Sequence, residues 1–208
     1  MRKITVADVM TRDPIAVTAS TSFKDLVGLL DRVRISAVPV VDQYKQVIGV
    51  VSEADLLRKH ECADLDLVGG HRSREVERRA AGLTAGDMMS APATTIGPEA
   101  FLPSATRLLT EAGVRRLFVV DEAGRLIGVA SRRDLLSSFL RPDHEIREEI
   151  RGEVMHRFRI NRSDIRLEVA NGVVTLAGRL PADLDRRSVV DRIAQVPGVV
   201  GIADQLTG

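Results

Sequence analysis

The stretch "GVVSEADLL", residues 49–57, recurs as "GVASRRDLL" at residues 128–136. Gly, Val, Ser, Asp and both leucines keep their places, while Glu53-Ala54 is replaced by Arg132-Arg133. Each nonapeptide reads as the end of a strand running into a helix. Ser stands at the N-cap and Asp three residues on, the spacing of a capping box. Two such starts at equivalent positions indicate an internal duplication and invite a second reading. Each motif opens with a glycine, which lets a ligand approach the backbone. A helix N-terminus offers free amides to anions, and an acidic residue there suits sugar hydroxyls better than phosphate.

Outward from the motif, segment 6–57 aligns with segment 85–136. "VADVMTRDP" matches "AGDMMSAP", Phe23 matches Phe101, "RISAVPVVD" matches "GVRRLFVVD" and "VIGVVSEADLL" matches "LIGVASRRDLL". Two copies are too few for a solenoid, so they predict a pseudo-twofold pair in which each covers an apolar face of the other. In the first copy the pattern predicts a short helix at Val6–Met10 and an extended Ile15–Thr18. An amphipathic helix follows over about Ser22–Arg34, with Phe23, Leu26, Val27, Leu30 and Val33 on one stripe. Strands at Ala37–Val41 and Val47–Val51 come next, joined by a hairpin-like loop over 42–46, and a second helix starts at Ser52. The runs "AVPVV" and "VIGVV" do not alternate, which predicts strands buried on both faces. The order is β-α-β-β-α, twice. Segment 58–82, charged and containing Gly69-Gly70, reads as a linker with a helical piece at 72–81.

After Leu140 the repeat ends at "RPDH". "HEIREEIRGEVMHRF" predicts an amphipathic helix with Ile146, Ile150, Val154 and Phe158 in register. In "DIRLEVANGVVTLAGRL", Asn171-Gly172 is a strong two-residue hairpin signal, because both turn residues take positive φ. That loop pairs Val169 with Val174, Leu167 with Leu176 and Ile165 with Gly178, which makes one face apolar. A helix opening at Pro181, with Val189, Val190 and Ile193 buried, and a last strand in "VVGIADQL" complete an α-β-β-α-β domain. The fold class is α+β, divided as repeat 1 (1–60), linker (61–82), repeat 2 (83–140) and a small third domain (141–208).

Composition narrows the function. The 208 residues carry 30 basic and 29 acidic side chains, for a net charge of +1, and 44% are hydrophobic. This is a packed chain without the excess of base that a general nucleic-acid binder shows. Only 3% is aromatic, so base-stacking platforms are scarce and nucleic acid is not an expected partner. The single cysteine, Cys62, excludes an internal disulfide framework and fits a reducing compartment. It leaves a thiol available for oxidation or pairing between subunits. "MRKITVADVMTRDP" lacks the apolar core of a signal peptide, and no run approaches membrane-spanning length. The expectation is a cytoplasmic protein. His60, Cys62 and His71, near Asp64 and Asp66, match no familiar zinc spacing, so no metal is expected. No nucleophile elbow, P-loop or dinucleotide glycine motif occurs, so the chain is not read as an enzyme.

With these residues in view, segments 4–59 and 83–139 resemble a tandem pair of CBS domains, a Bateman module. The resemblance rests on "VADVM" and "AGDMM", on "VPVVD" and "LFVVD", and on the two G-x-x-S-x-x-D ends. Segment 145–207 resembles a BON domain through "LEVANGVVTLAGRL" and "VPGVVGIADQL". The first resemblance implies an adenosine-containing ligand, AMP, ADP, ATP or S-adenosylmethionine, in clefts between the repeats, with no cofactor required. It places ribose on Asp55 and Asp134, and phosphate near Ser52 and Ser131. Arg115, Arg116, Arg132 and Arg133 are the phosphate-side arginines, since guanidinium binds phosphate bidentately. Thr18, Val38, Pro39 and Thr95 edge the base pocket. Copy one has Ser36-Ala37 and Glu53-Ala54 at the corresponding places, so the phosphate is expected mainly with Asp134, and the Asp55 site is expected to be weaker or to prefer a ligand with less negative charge. The resemblance also implies a homodimer, and a signal passed through Leu140–Asp143 to the third domain. The alternative is an interaction or scaffold protein with degenerate sites, its last domain docking on phospholipid or a protein. From Arg141 onward 11 arginines balance 11 acidic residues, which gives no polybasic membrane anchor; Arg147 and Arg151 still form a local basic pair.

Overall fold

The structure, a computed structural model, describes residues 4–63, 82–161 and 163–207, without the side chains of 60–63. The helical piece expected at 72–81 and the His60, Cys62 and His71 side chains lie outside the described residues. Two compact units are present, Met10–Ser131 and Arg132–Gly208 together with Met1–Val9. The boundary between them falls inside the second nonapeptide, between Ser131 and Arg132.

In the first unit, β1 (Thr11–Arg12) and β2 (Val17–Thr18) precede α2 (Phe23–Val33), and α1 (Val6–Val9) precedes them all in the chain. Helix α2 forms where Ser22 caps it, its hydroxyl accepting from the Asp25 amide at 3.3 Å. It ends at Arg34, which takes a left-handed φ of 57°. Leu26 and Leu30 are its buried positions, while Val27 is 43% exposed. The buried stripe is centred on these two leucines, with Phe23 and Leu29 packed partly buried beside them and Val27 outside it. Strands β3 (Ala37–Val41) and β4 (Val47–Ser52) follow, then α3 (Glu53–Ala63). The parallel pair β2–β3 and the antiparallel pair β3–β4 make a three-stranded sheet. Val38, Val40 and Val51 are buried against Leu26, Leu30 and Leu56 in its core.

The second repeat supplies α4 (Ala85–Met88), β5 (Thr95–Ile96), α5 (Leu102–Glu111), β6 (Arg116–Val120) and β7 (Leu126–Ser131). Its sheet has four strands, in the order β1-β7-β6-β5, and the outer strand β1 comes from the first repeat. The exchange is mutual, because Ser90 of the second repeat bridges Val50 of β4, with Val50 N–H to Ser90 O at 3.0 Å and the return bond at 2.9 Å. Each repeat's opening segment therefore completes the other repeat's sheet edge.

The exchange explains the motif glycines. A Cβ on Gly49 would stand 2.5 Å from Met89 Sδ and 3.1 Å from Ser90 O. On Gly128 it would stand 2.5 Å from Met10 Sδ and 3.2 Å from Thr11 O. The space expected for a ligand is filled by the partner repeat's methionine and backbone.

In the other unit, α6 (Arg132–Ser137) is followed by α7 (Asp143–Glu149) and a π-helical turn at Ile150–Met155. Ile146, Ile150 and Val154 are fully buried and Phe158 partly so. Apolar residues every four positions drift around a 3.6-residue helix, and the wider π turn holds them on one face. Strands β8 (Ile165–Ala170) and β9 (Val173–Arg179) pair in the predicted register, Ile165 to Gly178, Leu167 to Leu176 and Val169 to Val174. Asn171 (φ 51°) and Gly172 (φ 74°) form the turn. The Asp143 carboxylate accepts both turn amides, from Asn171 at 2.7 Å and Gly172 at 2.8 Å. Helix α8 (Arg186–Ala194) begins five residues later than Pro181, because Asp185 caps it by accepting from Arg187 and Ser188 amides. Strand β10 (Gly201–Thr207) lies parallel to β9. Among the described residues no helix is long and apolar enough to cross a membrane.

Candidate functional site

The first nonapeptide folds as its capping-box spacing predicts. Ser52 ends β4, and the Asp55 amide donates to its hydroxyl oxygen at 3.3 Å. Asp55 Oδ2 accepts in return from the Ser52 amide at 2.9 Å and the Ser52 hydroxyl at 2.6 Å. Asp55 is only 7% exposed, the one buried charged side chain among the described residues. Its second oxygen, Oδ1, accepts from the Ser90 hydroxyl at 3.2 Å and lies 3.7 Å from Arg58 Nη1. A buried carboxylate needs such partners, and these come from both repeats.

Asp55 lies on a cleft of about 810 Å³ within the first unit, a size suited to a small ligand. Its walls are Ser36 and Ala37 ahead of and at the start of β3, Ser52–Asp55 and Arg58 at the start of α3, Ser90, Pro92 and Thr94 from the second repeat's opening, and Ala112–Arg116 with Phe118 from β6 and the turn before it. The floor is apolar, with Phe118 buried, and the rim is polar. Arg115 is exposed and has no partner among the described residues. Arg116 crosses the cleft, donating from Nη1 to Ala37 O at 3.1 Å and from Nη2 to Ser36 Oγ at 2.8 Å.

The structure therefore brings together Asp55, Ser52, Arg115 and Arg116. Arg115 and Arg116, which the sequence reading pairs with Asp134, line the cleft of Asp55. The reason is the crossing of the repeats, which carries the second copy's pre-strand turn to the first copy's motif. Ser131 closes β7 in one unit, whereas exposed Arg132 and Arg133 and half-buried Asp134 open α6 in the other.

The base-pocket expectations change more. Val38 is fully buried in the core, behind the sheet and away from the cleft. Pro39 instead borders a smaller cleft of about 210 Å³, with Asp13, Ile15 and Arg116. The Thr18 hydroxyl is taken up by its own turn, 3.0 Å from Ser20 Oγ and 3.4 Å from Thr21 Oγ1. Thr94, just ahead of β5, lines the larger cleft and Thr95 does not, since successive residues of an extended chain face opposite sides. The sequence reading also missed Ser90 and Arg58. Arg58 was within reach of it, because a residue three beyond Asp55 shares its helix face; Ser90 was not, because only the crossing of the repeats delivers it. No cluster of ligating side chains able to hold a metal occurs among the described residues.

Comparison with known proteins agrees with this fold. The CBS domain family matches residues 6–61 and 85–141, and the BON domain family matches 142–207. The chloroplastic CBS domain-containing protein CBSX2 of Arabidopsis thaliana is 30% identical over 162 residues, 68% of this chain and 66% of that protein. An uncharacterized protein of Methanopyrus kandleri is 29% identical over 136 residues, 65% of this chain and 63% of that protein. The chain thus spans slightly less than two thirds of the length of these relatives. The crystal structure of CBSX2 in complex with AMP superimposes with a TM-score of 0.55 at 33% identity, covering 65% of this chain and 96% of that one. The chain belongs to the CBS domain family, as a tandem CBS pair followed by a BON domain.

Proposed function

We propose that the chain is a regulatory sensor whose CBS pair binds an adenosine-containing ligand in the Asp55 cleft. The observation that carries the reading is the pairing of a buried carboxylate at the cleft wall with an unpartnered guanidinium, Arg115, at its rim. Asp55 Oδ1, held by Ser90, accepts from ribose hydroxyls, and Arg115 and Arg58 meet the phosphate. Glu53 lines the same cleft and disfavours a long polyphosphate beside it, so AMP is the preferred charge state. The AMP in the similar CBSX2 structure supports this ligand class. Asp134 and Ser131, by their place in the repeat, are proposed as the second ribose and phosphate pair, with Arg132 and Arg133. Binding favours one conformation only through unequal affinity for two states. The proposed output is the BON domain, reached through 140–143, in a homodimer.

Isothermal titration of the full chain with AMP, ATP and S-adenosylmethionine tests the reading. Saturable binding that falls at least tenfold in Asp55→Ala and Arg115→Ala is expected. No binding of any of the three overturns it. In that event the scaffold reading gains, and one observation already favours it: Arg116 and Asp55 Oδ2 are engaged by the protein itself.

A further inference from the structure

Strand β8 is the outer strand of the order β10-β9-β8, and pairing with β9 uses only half of its backbone groups. The two-residue loop makes Ala170 and Val173 a hydrogen-bonded pair, and such pairs alternate along an antiparallel ladder. Arg166 and Glu168 therefore bond to β9, in phase with the Arg179 amide that donates to Asp164 O at 3.1 Å. The amides and carbonyls of Ile165, Leu167 and Val169 point out of the open edge. A groove of about 670 Å³ runs along that edge, walled by Arg147 and Arg151.

The two sides of the groove differ in charge. On the strand side Arg166 and Glu168 neutralise each other, Nη2 to Oε1 at 2.6 Å. On the helix side Arg147 has no hydrogen-bond or ion-pair partner among the described residues, and its Nε is buried with its donor unmet. Such a group is costly until an acceptor arrives. Arg151 reaches only the exposed Glu148, at 3.0 Å. Four residues of helix separate the two arginines by about 6 Å. Same-face side chains of an added strand recur at about 6.6 Å.

We propose that this edge accepts an extended acidic segment of a partner protein as a fourth strand. Its main chain pairs with Ile165, Leu167 and Val169, and alternate carboxylates meet Arg147 and Arg151. A phosphate headgroup would use the arginines and leave the strand's donors and acceptors unpaired, whereas an extended peptide satisfies both.

The test uses the full-length, isotope-labelled chain with the capped peptide Val-Asp-Val-Glu-Val-Asp and its lysine counterpart Val-Lys-Val-Lys-Val-Lys. Saturable binding of the acidic peptide is expected, with slowed exchange at the Ile165, Leu167 and Val169 amides. Affinity should be at least tenfold weaker for the lysine peptide and for Arg147→Gln. Arg151→Gln serves as the second variant if Arg147→Gln does not fold, and should weaken binding at least threefold. Absent binding, equal binding of the two peptides, or unprotected edge amides overturn the proposal. So does a response of the Arg147 side-chain signal to phosphatidylglycerol vesicles or inorganic phosphate with none to the peptide.

Discussion

Arg116 of the second repeat donates to Ser36 Oγ of the first at 2.8 Å, and its other terminal nitrogen donates to Ala37 O at 3.1 Å. This fork ties together the starts of β3 and β6, strands of two different sheets. Arg116→Ala removes both bonds and leaves the carbonyl of buried Ala37 to find another donor. A loss of about 1–3 kcal/mol is expected, the range for leaving a buried acceptor unsatisfied. Calorimetric unfolding of the full chain measures it, and Ser36→Ala should cost less, because the carbonyl bond survives.

Gly49→Ala should destabilise by about 1–3 kcal/mol, the range for overpacking a filled site. The new methyl meets Met89 Sδ and Ser90 O. Combining it with Met89→Ala should recover part of the loss, though not all, since the Ser90 carbonyl remains. Denaturant titration of the single and double variants checks this. Full additivity of the two costs would refute the contact.

In the BON domain, Asp143→Ala strips the acceptor from two turn amides, at 2.7 and 2.8 Å. The expected cost is about 2 kcal/mol, because charge-assisted bonds are stronger than neutral ones. Faster amide exchange at Asn171 and Gly172, with the β6–β7 amides of the other unit unaffected, would locate the effect.

Acid should weaken the same domain. The Arg186 guanidinium, bonded to Asp204 Oδ2 at 2.7 Å, holds the Asp204 carboxyl below the usual aspartate range. The Ser188 hydroxyl and amide do the same for Asp185 at the cap of α8. A lowered folded-state value means that the stabilisation is complete above the ordinary aspartate pKa and is lost as pH falls through the lower, folded value. Melting temperatures should therefore decline below about pH 4. Asp204→Asn should flatten that decline.

The parts of this fold that local chemistry decides were legible from the chain. The Asn171-Gly172 loop sets the β8–β9 register by itself, and Ser52 with Asp55 defines a helix start within four residues. The two β-α-β-β-α units followed from a repeated pattern. What escaped was carried by contacts distant in sequence. The exchanged segments at Thr11 and Ser90 make a two-residue strand and a single bridge, too short to leave a periodic signal. The motif glycines looked like ligand space because Met10 and Met89, the residues that fill it, lie far away along the chain. The choice of Thr94 over Thr95 depends on which side each residue of an extended segment faces, which so short a strand does not announce. The π turn at Ile150–Met155 was written in the four-residue apolar spacing, and a fixed helical period obscured it.

The exchange of opening segments bears on how such a protein can be inherited and taken apart. A lone repeat would show a raw β edge and a slot shaped for a methionine it lacks, so recombination can move the pair between genes but not one half. The interlock also makes each half a specific glue for the other. Separately expressed polypeptides carrying residues 1–63 and 82–208 should find each other and reconstitute the pair, and such complementation would make the module a natural two-piece reporter.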